Sequence, residues 1–77
     1  MKKHGKKKLH PLLSDFAKKV RLRRHELQLS QEQVSEASGL HVNFVGGVER
    51  ATRNPSFTSI IQLAKGLKIS PKDLIPD

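Results

Sequence analysis

Apolar residues recur at helical spacing from Leu13 onward: Leu13, Phe16, Ala17, Val20 and Leu27. Positions three and four apart share a helix face, so this run predicts a first helix over about 14–27, with Ser14 or Asp15 as cap. Lys18, Lys19, Arg21, Arg23 and Arg24 fill its other faces. Ser30 followed by Gln33 is a capping box. Glu32 and Glu36 lie in the early turns that follow, where the helix dipole favours negative charge. Val34 and Ala37 form a narrow inner stripe, and Gly39 suits the position past a helix end, so a second helix spans about 31–38. Further on, Ser56 caps a broad apolar face made by Phe57, Ile60, Ile61, Leu63, Ala64 and Leu67, a helix over about 57–67. Gly66 near its end either weakens it or allows close packing. Ser70-Pro71-Lys72-Asp73 presents an N-cap serine, a proline at the first helical position and an acid at the third. It opens a short last helix that takes in Leu74 and Ile75 and stops at Pro76.

The stretch His41–Ala51, HVNFVGGVERA, fits two patterns. Valines around Gly46-Gly47 read as a hairpin with a Gly-Gly turn. The same residues read as a helix with Val45 and Val48 inward, Phe44 beside them, and Val42, Asn43, Gly46 and Gly47 outward. A lone hairpin between helices is marginal, which favours the helix, about 42–50. Short helix, tight turn, second helix is the helix-turn-helix unit, whose second helix enters the DNA major groove.

A chain of 77 residues is a single small domain with little room for an enclosed active site. It has no cysteine, and its four histidines (His4, His10, His25, His41) are scattered, so no metal site or other cofactor is expected. No paired carboxylates, nucleophile motif or phosphate loop stands out, so an enzyme is not expected. The net charge is +8, and Lys2, Lys3, Lys6, Lys7 and Lys8 concentrate it at one end. Residues 1–12 are therefore expected to form a disordered basic tail, serving solubility or attraction to a polyanion such as nucleic acid. Leu9-His10-Pro11-Leu12-Leu13 is too short and interrupted for a signal-peptide core, and no run spans a membrane. The expected location is cytoplasmic.

The segment LSQEQVSEASGLHVNFVGGVERATRNPSFTSIIQLAKGLKIS resembles the Cro/C1-type (XRE-like) helix-turn-helix family. SQE, SGL, VER, NPS and LAKGL occur in the family's order and spacing, and the match spans about residues 16–75. GGVER followed by RN also resembles the controller proteins of restriction–modification systems. The expected fold is all-α: a compact five-helix bundle over residues 13–77 that contains the helix-turn-helix and follows the basic tail. The resemblance implies transcription regulation through double-stranded DNA, usually as a homodimer. It also implies a buried ion pair between Arg24 and Glu49. Three positions depart from the pattern. Ala51 stands where a glycine usually ends the recognition helix, Gly66 where alanine is common, and Val42 where controller proteins often carry arginine.

Between Arg24 and Glu49 there is no lysine or arginine. Phosphate contacts are therefore expected from helix N-termini at Gln31 and Ser56, and from Arg50 and Arg53, where the family contacts the DNA backbone. The resemblance also lays the Phe44 ring on the sugar–phosphate backbone. Base reading falls to His41, Val42 and Asn43, with Gly46 and Gly47 letting the backbone approach. Asn43 suits a bidentate pair with adenine and Val42 a thymine methyl, while His41 serves equally as a cap. Self-association is expected through Leu67, Ile69, Leu74 and Ile75, which are also core candidates. Two other uses fit parts of the pattern. One is an antitoxin or bridging factor whose helix-turn-helix meets a protein or RNA. The other is a membrane-surface role for the basic first helix and tail, which leaves the SQE/SGL/VER pattern unexplained.

Overall fold

The computed structural model describes residues 10–77. Most of the expected basic tail therefore lies outside the described residues. Four α-helices follow in order: α1 (Pro11–Glu26), α2 (Gln31–Ser38), α3 (Val42–Glu49) and α4 (Phe57–Gly66). The disputed stretch is helix, not hairpin. A 3₁₀ turn, Pro71–Asp73, stands where a fifth helix was expected. The five-helix bundle is thus corrected to four helices and a turn. The reason is local: Pro76 disfavours helical backbone at Ile75, and the Ser70 side chain makes no cap hydrogen bond.

Helix α1 begins at Pro11, inside the segment expected to be tail. His10 caps it: the imidazole Nδ1 accepts the Leu12 N–H at 3.1 Å, and Pro11 takes the first position, where a missing N–H costs nothing. Helix α2 carries the full capping box, with the Gln33 N–H donating to Ser30 Oγ at 3.0 Å and the Ser30 N–H to Gln33 Oε1 at 2.8 Å. Its inner face is Val34 and Ser38, and Ala37 is exposed. Ser56 caps α4 by accepting the Ser59 N–H.

All four helices end on a left-handed residue, but only Gly39 (φ 78°) is a glycine. Gln28 (φ 56°), Ala51 (φ 61°) and Lys68 (φ 54°) close the other three. After each, an amide reaches back five residues: Leu29 to Arg24 O, Thr52 to Gly47 O and Ile69 to Ala64 O, at 2.9–3.1 Å. This is the Schellman arrangement, with side chains where glycine is cheapest. Gln28→Gly and Lys68→Gly, both at exposed positions, are each expected to stabilise the fold by roughly 0.5–1 kcal/mol, the left-handed penalty less the added chain entropy of glycine. A thermal melt checks this, and a lowered Tm would contradict it.

The core draws on every helix: Phe16 and Val20, Val34, Val45 and Val48, Leu63, Ala64 and, just past α4, Leu67, with Leu74 beyond the 3₁₀ turn. Leu67 and Leu74 are completely buried, so they are core rather than self-association surface. Ile69 is half-buried against the same cluster. Arg21 and Arg23 of α1, expected to fill its outer faces, turn inward to helix ends, and Arg24 turns inward as the resemblance implies. Arg21 donates to the Glu49 carbonyl. Arg23 donates to the carbonyls of Leu67 and Lys68, each at 2.9 Å. Arg24 donates to the Leu29 carbonyl at 2.9 Å. Cations at helix C-termini meet the negative end of the dipole and satisfy orphan carbonyls.

Candidate nucleic-acid interface

Helices α2 and α3 are joined by Gly39, Leu40 and His41. Leu40 packs against the core. His41 Nδ1 accepts the Asn43 N–H at 3.0 Å and so caps α3. That bond occupies one ring nitrogen and makes His41 a positioning residue at the start of the helix. Val45 and Val48 are buried, and they anchor the inner face of α3. Asn43 is exposed, while Val42 and Phe44 are half-buried. The Phe44 ring packs against the core, and the Arg53 guanidinium carbon lies 5.9 Å from its centroid.

The far end of α3 is held by charge. Glu49 is 4% exposed. Its carboxylate accepts Arg24 Nε at 2.7 Å, Arg24 Nη2 at 3.0 Å and Gln31 Nε2 at 3.0 Å. The Arg24 guanidinium is held above its ordinary value by the hydrogen bond to Glu49, with burial acting the other way. The stability it contributes is therefore fully present below the unfolded-state value and is lost only as pH rises through the raised folded one. Gln31, expected to contact phosphate, has its side-chain amide engaged with Glu49. What remains there for DNA is the N-terminal backbone of α2. Ser56, the other expected phosphate group, is exposed, and its hydroxyl serves as the α4 cap.

Gly46 and Gly47 are buried, which corrects their expected exposure. Their Cβ sides are covered by side chains of the same protein. A Cβ on Gly46 would lie 3.0 Å from Arg50 Nη1 and 3.4 Å from Gln31 Oε1, and one on Gly47 would lie 2.4 Å from Arg53 Cγ. Arg50 and Arg53 are themselves exposed. The surface thus brings together Asn43, Val42, Arg50 and Arg53, with the glycines beneath the arginines.

Of the expected self-association residues only Ile75, 44% exposed, has substantial apolar surface. Two residues of the broad α4 apolar face are open to solvent: Phe57 at 77% and Ile61 at 40%, one turn apart. The signal was the width of the α4 apolar face, broader than one core contact needs. Among the described residues, no cluster of His, Asp and Glu could hold a metal, and no helix is long and apolar enough to cross a membrane.

A family model for helix-turn-helix domains matches residues 15–74. Control protein C.SmaI of Serratia marcescens is 46% identical over 60 residues, covering 78% of this chain and 71% of that protein. The crystal structure of the restriction–modification controller protein C.AhdI from Aeromonas hydrophila superposes with a TM-score of 0.79 at 43% identity, covering 82% of this chain and 96% of that one. The C.Esp1396I tetramer in complex with its natural 35 base-pair operator superposes with a TM-score of 0.78 at 31% identity, covering 80% and 82%.

Proposed function

This chain belongs to the helix-turn-helix family of sequence-specific DNA-binding transcription regulators, as a close relative of the restriction–modification controller proteins, and we propose that it reads a palindromic operator as a homodimer through the first turn of α3. It is a binding protein rather than an enzyme. One observation carries the reading: α3 is anchored on one face by Val45 and Val48 and at its end by Glu49, while Asn43 stands exposed at its start. A rigid helix with a free amide at its N-terminal end has what direct base readout requires.

In this reading Asn43 pairs with adenine N6 and N7, and Val42 packs on a thymine methyl. His41 sets the helix start. The N-terminal backbones of α2 and α4, with Arg50 and Arg53, hold phosphates. Val42 stands where controller proteins often carry arginine, so their operators are not carried over. Phe57, Ile61 and Ile75 supply the apolar surface for a second copy. The DNA-bound tetramer of C.Esp1396I supports assembly on an operator as a property within reach of this fold. The proposed location is the cytoplasm.

Selection of binding sites from random duplex DNA at physiological salt tests the reading. The expected product is a palindrome whose half-sites lie about 34 Å apart. A selection that yields no consensus overturns it, and co-purification of a protein or RNA partner would then point to a bridging role. Asn43→Ala is expected to cost about 1–3 kcal/mol of binding and to relax preference at one position per half-site. An unchanged consensus would remove Asn43 from base reading.

A further inference from the structure

We propose that Gly46 and Gly47 form a saddle in helix α3, across which Arg50 and Arg53 are laid so that their guanidinium groups reach its DNA-facing surface. The inference rests on the DNA-binding reading above and concerns how that surface acquires positive charge. Residues Val42 to Glu49 include no lysine or arginine. Any cation on this face must therefore come from beyond the helix. Gly46 is one turn from both Val42 and Arg50, and Gly47 is one turn from Asn43. The two glycines therefore continue the rows that begin with the reading residues.

Backbone conformation does not explain the pair, because among the glycines only Gly39 has positive φ. Space does. Side chains on a helix lean toward its N-terminus, and Arg50 accordingly lies over Gly46, with Nη1 3.0 Å from the position a Cβ would take. Arg53 approaches from the loop. Its Cγ is 2.4 Å from a Cβ placed on Gly47, and its Cδ and Nε are 3.4 Å away. The arginine stem thus fills the space of an alanine methyl. Beyond the saddle its guanidinium carbon comes within 5.9 Å of the Phe44 ring centroid, beside the first turn of α3. With any larger residue at position 47 this path is closed, and Arg53 must leave the helix surface.

The test is a double-mutant cycle of Gly47→Ala and Arg53→Ala, read in two ways. In thermal melts, Gly47→Ala in the Arg53→Ala background is expected to raise Tm by roughly 4 °C or more, the helix preference of alanine without a clash. In the parent background the gain falls to less than half of that. Equal gains in both backgrounds overturn the saddle. Binding is read with a labelled duplex carrying the consensus selected from random DNA. Gly47→Ala weakens it by about fivefold or more in the parent and by less than about twofold once Arg53 is alanine. Equal loss in both backgrounds overturns the functional role, since the glycine would then act through its own approach to DNA. If the parent selects no consensus, the operator reading fails, while the Tm cycle still judges the saddle. The salt dependence of Arg53→Ala identifies the acceptor: a slope lower by about one marks a phosphate, and lost preference at a single base pair marks a guanine edge.

Discussion

Glu49→Ala is expected to remove about 3–5 kcal/mol of folding stability and DNA binding with it. The carboxylate is 4% exposed and accepts three hydrogen bonds, two from Arg24 and one from Gln31. Its removal leaves a largely buried guanidinium without its counter-charge and an amide without its acceptor. A small domain has on the order of 5–15 kcal/mol to lose, so the variant sits near the unfolding threshold. Urea denaturation followed by circular dichroism measures the loss. A Glu49→Ala protein that unfolds within about 1 kcal/mol of the parent would show that the pair does not hold α3. Arg24→Met combined with Glu49→Leu separates stability from orientation. Replacing both ions by apolar groups is often close to neutral, so much of the stability returns. Gln31 remains without its tether, so DNA affinity is expected to stay low.

Gly66→Ala is expected to lower stability by about 1–3 kcal/mol, the usual cost of overpacking. A Cβ there would lie 2.9 Å from Ser38 Cβ, 3.0 Å from its N and 3.1 Å from its Cα. Those atoms belong to the end of α2, so the helices themselves must separate. Ser38 is 7% exposed, and its carbonyl accepts Gln62 Nε2 at 3.3 Å, so the crossing is also tied by a hydrogen bond. Alanine's better helix propensity offsets little at the last residue of α4. A lowered urea midpoint with unchanged m-value is the expected result. A midpoint at or above that of the parent would mean that α2 yields freely. At Gly47 the obstacle is the stem of a long side chain, whereas here it is the backbone of Ser38 and the Cβ fixed to it, so the same substitution has opposite expected signs.

Much of the helix pattern was legible because its causes are local. The Ser30–Gln33 capping box and the Ser56 cap act across three residues and placed the starts of α2 and α4. Gly39 marked the end of α2 in the same way. The start of α1 is less legible, because a histidine cap is a weaker signal than serine, although Pro11 suits the first helical position. The expected last helix is only a turn: a serine, a proline and an acid open it, but the residues before Pro76 are too few to continue it. On α3, the outward position of Asn43 is legible from helical periodicity, and the Arg24–Glu49 pair through the family pattern. The burial of the glycines and the exposure of Phe57 and Ile61 are not.

The sequence alone determined the starts of α2 and α4 and the end of α2, because caps act within about five residues. Tertiary structure decided which charges face solvent. Arg21 and Arg23 read as part of a basic run, yet Arg21 reaches an acceptor 28 residues away and Arg23 one 44 residues away. It also decided which apolar residues of α4 meet the core, because a broad apolar face can turn only part of itself toward α2. Gly46 and Gly47 were decided at that level too. Helical periodicity placed them on the outer face of α3, and the side chains of Arg50, Arg53 and Gln31 laid over them close that face.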